Sequence, residues 1–148
     1  MIPPFNENGC LPQGVYDYTV EEAAERFGAF RGTSQRPKLW EKLVQFMHEA
    51  KSCELIKAML LDGSFVTNKV DPNDIDLLLV VSANHDFSAT FQPSDYNIIS
   101  KRRISQRFGF DILVARADSE EYRRYLDFFQ QVRLEPGRKK GILRLWLR

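Results

Sequence analysis

The chain has few of the residues that build metal-binding scaffolds and disulfide frameworks. It holds two cysteines and two histidines in 148 residues, and Cys10 and Cys53 lack the spacing of a zinc site. A chain of this length does not need a disulfide, so we expect reduced thiols. No stretch approaches the roughly 18 apolar residues of a membrane span, and the N-terminus lacks the pattern of a signal peptide. We therefore expect a cytoplasmic protein with no membrane partner.

The sequence does contain enough apolar material for a folded domain. Hydrophobic residues make up 43% of the chain and charged residues 28%. These fractions are typical of a globular domain and not of a disordered chain. We interpret residues 1–148 as one domain, whose first 17 residues form an irregular arm rich in Pro, Gly and Asn.

A net charge of +1 conceals an uneven distribution of charge. Residues 1–100 contain 8 Lys and Arg against 14 Asp and Glu, a net −6, whereas residues 101–148 contain 13 against 6, a net +7. One interpretation is that the basic part meets an anionic partner through residues 101–103 and 138–140. The other is that the two parts neutralise each other once the chain folds.

Capping residues and hydrophobic periodicity predict elements in the order α-α-β-β-α-β-α-β. The helices are expected at 19–27, 37–51, 94–107 and from 118 onward, and the strands at 55–61, 74–82, 109–115 and 143–147, with a loop at 83–93. The strand at 74–82 is apolar on both faces after its first residues, as in a central strand covered on both sides. This pattern predicts an α/β (α+β) fold with a mixed β-sheet flanked by helices.

Two carboxylates stand at the start of the apolar segment "DIDLLLVVS". Because alternate side chains of a strand share a face, Asp74 and Asp76 are expected close enough together to share a divalent ion. Mg²⁺ binds through one or two carboxylates, waters and substrate phosphates. Asp111, expected inside the strand at 109–115, supplies a third carboxylate, as a two-metal phosphoryl-transfer site requires. We predict that the three converge at the carboxyl-side edge of the sheet.

The turn upstream of these carboxylates has the composition of a phosphate-binding loop. Gly63 lets a phosphate approach the backbone, while the Ser64 hydroxyl and neighbouring amides are donors for its oxygens. Lys69, in the same turn, adds a cation. Ser64 is expected to contact phosphate and not to act as a nucleophile, because the sequence positions no His–Asp pair to activate it.

Gly63-Ser64, nine intervening residues and then Asp74-Ile75-Asp76 in an apolar strand resembles the signature of the polymerase-β-like nucleotidyltransferase superfamily. The chain is similar in particular to small bacterial nucleotidyltransferase-domain proteins. Its first segment, "IPPFNENGCLPQGVYDYTVEE", and its last, "EPGRKKGILRL", look like a short branch of that group, so the resemblance covers nearly the whole chain.

The resemblance implies a minimal nucleotidyltransferase fold and a chemistry. It implies that Asp74, Asp76 and Asp111 are catalytic and hold Mg²⁺, and that Gly63 and Ser64 hold a nucleoside triphosphate, with ATP the expected one. A nucleoside monophosphate would pass to an acceptor and pyrophosphate would leave. A chain this short leaves little room for a second layer around a small molecule, so we expect a macromolecular acceptor, a protein or an RNA.

Other interpretations remain open. Val66 and Thr67 stand where many members of the superfamily carry Arg and Gly. This favours a weak or inactive enzyme that serves as a binding module, such as a toxin–antitoxin component. A third possibility is a nucleic-acid-binding protein that uses the basic residues 101–148 and for which the aspartates are incidental. Asp111 is also compatible with a structural salt bridge to an arginine.

Overall fold

A computed structural model describes residues 1–29, 31–52, 54–86 and 93–147. The strands in this part of the chain are β1 (Gly14–Asp17), β2 (Ile56–Asp62), β3 (Asp76–Val81), β4 (Asp111–Arg116) and β5 (Gly141–Trp146). The helices are α1 (Val20–Phe27), α2 (Gln35–Ser52), α3 (Pro93–Ile99), α4 (Lys101–Phe108) and α5 (Glu120–Phe129). None of these helices has the length and apolar character needed to cross a membrane. Cys53 and residues 87–92 of the predicted loop lie outside the described residues.

The strands form one mixed sheet in the order β1-β5-β2-β3-β4. β2 is antiparallel to both of its neighbours, β3 and β5. The outer pairs, β1 with β5 and β3 with β4, are parallel. The predicted α+β fold, a mixed sheet flanked by helices, is therefore confirmed.

Both faces of the sheet are covered by apolar side chains. On one face, Leu61 and Leu77 belong to a buried cluster with Phe46 of α2. On the other face, Leu78 packs in a second cluster with Phe129 of α5. Because alternate residues of a strand point to opposite faces, β2 and β3 must be apolar at nearly every position. This burial on both faces explains the continuous apolar runs in the sequence.

The predicted irregular arm at 1–17 contains a strand. β1 lies at the edge of the sheet, with Gly14 opposite Gly141 and Asp17 opposite Arg144. The Asp17 carboxylate accepts hydrogen bonds from Arg144 Nε at 2.7 Å and from Trp146 Nε1 at 3.1 Å. A strand of four residues is too short to show an apolar alternation, and its partner lies at the far end of the chain. Local sequence pattern therefore does not reveal it.

The predicted helix at 94–107 is two helices. The Ser100 hydroxyl caps α4 by accepting a hydrogen bond from the Arg103 amide at 3.3 Å, which starts a new helix at this point. Gly109 then ends α4 in the left-handed region, with φ of 76°. The following strand begins after this turn, at Asp111 and not at 109.

The N-cap of α5 is also shifted by one residue from the predicted position. Asp118 has a φ of 58°, outside the extended region that an N-cap residue adopts. Ser119 takes that role, and its hydroxyl accepts a hydrogen bond from the Tyr122 amide at 3.0 Å. The helix itself forms where the sequence predicts it.

Candidate functional site

Three aspartates stand side by side at the ends of three neighbouring strands, from the central strand β2 to the edge strand β4. Asp62 is the last residue of β2, whereas Asp76 and Asp111 are the first residues of β3 and β4. Asp62 is the registered partner of Asp76, and Asp76 is that of Asp111. Registered residues on strands about 4.8 Å apart point to the same face. We call Asp62, Asp76 and Asp111 the aspartate row. By strand alternation, their side chains lie on the face of the sheet that α5 covers.

The position of this row corrects three details of the prediction. It lies at the carboxyl end of β2 but at the amino ends of β3 and β4, so the predicted carboxyl-side edge is wrong for both strands that follow the turn. Asp74 precedes β3, so it does not share strand geometry with Asp76. Asp111 is exposed at the start of β4 and is not inside that strand.

Asp76 is the most perturbed carboxylate of the site. Its pKa is raised to about 6 by burial and by the negative charges of Asp74, Asp62 and Asp111, against the attraction of Lys140. In the described part of the chain, no donor forms a hydrogen bond to this carboxylate and no cation lies within ion-pair distance of it. A perturbed carboxylate that lines a cleft and has no direct partner is typical of a functional group.

Asp62 has a partner that the sequence did not predict. Lys140 Nζ lies 2.7 Å from Asp62 Oδ1, and the two side chains are 16% and 9% exposed. Burial raises the pKa of Asp62, and the ammonium of Lys140 opposes that rise. The sequence does give a signal for Asp62, which ends an apolar strand in "LLDGS" just before Gly63. It gives none for Lys140, which resembles its basic neighbours.

Gly63 brings the turn after β2 against the chain that leads into β3. Its φ is 94°, and a Cβ atom here would lie 2.9 Å from the Asp74 carbonyl oxygen and 3.2 Å from the Asp76 amide nitrogen. A side chain would therefore require the backbone to move, in addition to the strain of a positive φ. Glycine at this position holds the Ser64 turn beside the two aspartates.

Ser64 binds Asp74 directly. Its hydroxyl and its amide donate to the same oxygen, Asp74 Oδ1, at 2.5 Å and 2.9 Å. The hydroxyl in turn accepts a hydrogen bond from the Asn73 amide at 3.0 Å. Burial raises the pKa of Asp74, but the hydrogen bonds from Ser64 outweigh it and leave that pKa below its ordinary value. The donors expected to bind a phosphate are thus occupied by a carboxylate of the chain.

A cleft of about 1050 Å³ opens over the aspartate row. The turn of Gly63 and Ser64 lines the cleft, and so do the end of α5 and the chain that follows it. This last segment presents exposed apolar side chains, with Phe128 62% and Leu134 93% exposed. The cleft therefore combines a carboxylate floor with an apolar rim.

Arg36 fixes the path of the Ser64 turn from inside the fold. Its guanidinium, 1% exposed, donates to the carbonyl oxygens of Phe65 at 2.8 Å, Thr67 at 2.7 Å and Lys69 at 3.1 Å. Burial lowers the pKa of Arg36 to about 10, so it stays charged at neutral pH. Lys69, predicted to add a cation at the phosphate site, does not line the cleft. Its backbone instead helps to anchor the turn.

The basic residues expected to meet an acceptor divide into two groups. Each residue of 138–140 pairs with an acid: Arg138 with Glu135, Lys139 with Asp127 at 3.8 Å, and Lys140 with Asp62. Of these three pairs, only that of Lys140 with Asp62 joins the basic part of the chain to the acidic part, because Glu135 and Asp127 both lie within residues 101–148. Lys101, from the other predicted group, lines the cleft together with Lys140, and so does Arg133, which was not among the predicted residues.

The described carboxylates do not form a complete coordination site for a metal ion. Among the described residues, no set of three or more His, Cys, Asp or Glu side chains is placed to hold a metal ion as it stands. One oxygen of Asp74 is bound to Ser64, and Asp62 is bound to Lys140. The joint binding of Mg²⁺ by Asp74, Asp76 and Asp111 stays a prediction.

Comparison with known proteins gives one match. Residues 3–146 match the model of DUF6932, described as a family of unknown function. No curated protein and no solved structure matches the chain. Because the family model spans nearly all of the 148 residues, the chain belongs to the DUF6932 family.

Proposed function

We propose that the protein is a Mg²⁺-dependent nucleotidyltransferase that moves a nucleoside monophosphate from a nucleoside triphosphate, with ATP the expected one, to a macromolecular acceptor. The observation that carries this proposal is the aspartate row at the floor of a cleft whose wall is the glycine–serine turn. The spacing of this turn from Asp74 and Asp76 is also the basis of the sequence resemblance. A nucleoside triphosphate as substrate is compatible with the expected cytoplasmic location.

The donor set fits a hard divalent cation. Asp76 and Asp111 are registered partners on adjacent strands, so their backbones lie about 5 Å apart and their side chains share one face. Mg²⁺ prefers carboxylate oxygens together with waters and phosphates. Asp76, with its raised pKa and no partner in the described chain, is the carboxylate that gains most from a nearby cation. Bound Mg²⁺ would offset the negative charge of the triphosphate and of these carboxylates.

The residues of the turn have the donors that a triphosphate needs. Ser64 offers an amide and a hydroxyl that already converge on one carboxylate oxygen, and a phosphate oxygen is an acceptor of the same kind. In this proposal the phosphate takes the place of Asp74 on Ser64, which frees the Asp74 carboxylate for the cation. Arg36 keeps the turn in position during this exchange because its partners are backbone carbonyls of that turn.

The surroundings of the cleft support a large acceptor. The chain after α5 lines the cleft together with the glycine–serine turn, and its Leu134 is 93% exposed. Lys101 and Arg133 line the same cleft and supply positive charge. An open rim with cations suits an anionic macromolecule, an RNA or an acidic protein, more than a small molecule that must be enclosed.

A second candidate function is a nucleotide-binding module without turnover, such as a toxin–antitoxin component. The observation that favours it is the closed Ser64–Asp74 pair, because each donor of Ser64 must leave a charged acceptor before it binds a phosphate. Such a protein would bind Mg²⁺ and nucleotide but would not form a covalent product. Binding and transfer must therefore be measured separately.

Mg²⁺ and ATP together are expected to stabilise the protein, whereas either alone has a small effect. The carboxylates repel the triphosphate until a cation lies between them. At 100 times the dissociation constant, the ligand should add about 2.7 kcal/mol to the free energy of unfolding. The measurement is the thermal midpoint of the unmodified protein and of Asp76→Ala, with and without each component.

The proposed site would be wrong if Asp76→Ala showed the same ligand-induced shift as the unmodified protein. Asp127→Ala is the matched control, because its carboxylate is 68% exposed and Asp127 is not among the residues that line the cleft. It should retain the full shift.

A further inference from the structure

The ion pair of Lys140 and Asp62 is buried at one end of the aspartate row. The Lys140 side chain is 16% exposed and that of Asp62 is 9% exposed, and Nζ lies 2.7 Å from Oδ1. Removing two charges from water is unfavourable unless each compensates the other. A surface lysine next to it makes the contrast clear: Lys139 Nζ is 3.8 Å from Asp127, and those side chains are 33% and 68% exposed.

The backbone holds Lys140 in place on both sides. Its amide donates to the Gln130 carbonyl at the end of α5, at 2.8 Å. The next amide, that of Gly141, donates to the Leu11 carbonyl at 2.8 Å, where β5 begins. The ammonium therefore projects from a fixed point of the chain and is not at the end of a free loop.

The charge of Lys140 reaches beyond its direct partner. The ammonium lowers the pKa of Asp62, Asp74 and Asp76, in each case against burial. It is also one of the residues that line the cleft. A positive charge is thus already present where the proposed function needs one.

We infer that Lys140 is the resident counter-cation of the aspartate row: it neutralises Asp62, leaves Asp76 and Asp111 as the carboxylates that receive a divalent ion, and limits the affinity for that ion. The inference rests on the proposed function, and it assigns Asp62 to the support of the site and not to its metal ligands. Asp62 positions the ammonium, and the ammonium in turn keeps the Asp62 carboxylate away from an incoming cation.

The test is Mn²⁺ binding to the full chain, measured by the loss of the free-ion electron paramagnetic resonance signal at pH 7.5. The variants are Lys140→Met, Asp62→Asn, the double variant of both, and Lys139→Met as the matched control. Lys140→Met should bind Mn²⁺ at least about tenfold more tightly, because a positive charge a few ångströms from the ion has been removed. Lys139→Met should bind as the unmodified protein does.

The other two variants separate a supporting role of Asp62 from a metal-ligand role. Asp62→Asn leaves the ammonium unpaired beside the row, so Mn²⁺ binding should weaken by about tenfold. The double variant removes one charge of each sign and should bind within about threefold of the unmodified protein. If Lys140→Met does not fold, as circular dichroism will show, the comparison of the double variant with Asp62→Asn decides the question, because an inert Lys140 would leave these two variants with equal affinity.

Two results would overturn the inference. Unchanged Mn²⁺ affinity in a folded Lys140→Met variant would show that its charge does not act on the row, and loss of binding in the double variant would make Asp62 a ligand. Failure of the proposed function looks different. In that case Asp76→Asn would bind Mn²⁺ as well as the unmodified protein does, and no variant at Lys140 or Asp62 would change the affinity.

Discussion

Replacing Lys140 with methionine should lower the free energy of unfolding by about 3–5 kcal/mol at pH 7, because Asp62 is then left buried without a counter-charge. The expected loss is large since Asp62 is only 9% exposed and Lys140 lies 2.7 Å from it. Urea denaturation of both proteins measures the difference. Lys139→Met should lose no more than about 1 kcal/mol, because its ion pair is exposed.

The pH dependence of this loss has a definite sign. Without Lys140 the pKa of Asp62 rises further above its ordinary value of 3.8. A carboxylate with a raised folded-state pKa destabilises the fold above that pKa, and the penalty disappears as the pH falls towards the ordinary value. The difference in the free energy of unfolding between Lys140→Met and the unmodified protein should therefore become smaller as the pH falls. A gap that stays constant down to pH 4 would mean that lost packing of the lysine stem, and not the charge of Asp62, causes the destabilisation.

Asp76→Asn should make the protein more stable at pH 7–8, by about 2 kcal/mol. The raised pKa of about 6 means that the folded state disfavours the ionised carboxylate. The difference from the ordinary value of 3.8 corresponds to about 3 kcal/mol, which partial exposure of the group reduces. The gain should shrink as the pH falls below 6 and vanish well below 3.8, where Asp76 is protonated in both states. Urea denaturation at about pH 3 and at pH 8 measures both limits.

If removing a charged group stabilises the fold, that group does not contribute to stability, which indicates a role in function. Asp127→Asn, which removes an exposed carboxylate, should change stability by no more than about 0.5 kcal/mol. If Asp76→Asn instead destabilised the protein, the carboxylate would have to be a satisfied structural charge, and its place in the proposed site would be lost.

The sequence predicts the centre of the fold better than its edges. Strands β2 and β3 are predicted correctly because strands that are buried on both faces have continuous apolar runs, and such runs are visible in the local sequence. β1 is missed because its stability comes from pairing with β5, more than a hundred residues away. The division of the predicted helix at 94–107 depends on one capping hydroxyl, that of Ser100, whose effect outweighs the helical pattern around it.

The candidate site is predicted in part for the same physical reasons. The connection from β2 to the start of β3 contains Gly63, Ser64, Asp74 and Asp76. These residues are close in the sequence, so their spacing predicts that they are also close in the fold. The register that places Asp111 beside Asp76 is set by a parallel pairing that sequence spacing does not encode. The Lys140–Asp62 pair is a contact between residues far apart in the sequence, so local spacing does not predict it. Lys69, which was predicted to add a cation at the phosphate site, is close to Ser64 in the sequence but lies outside the lining of the cleft.

The most direct measurement is covalent transfer from ATP labelled at its α-phosphate. The protein is incubated with Mg²⁺ and the labelled triphosphate in a bacterial lysate, and nucleic acids and proteins are then separated under denaturing conditions. We expect a labelled macromolecule with the unmodified protein, and none with Asp76→Asn, although we expect that variant to fold and to be more stable. Absence of label with the unmodified protein, at concentrations where Mg²⁺ and ATP together raise its thermal midpoint, would contradict the transferase and leave the binding module. Equal labelling by Asp76→Asn would show that the chemistry does not belong to the aspartate row.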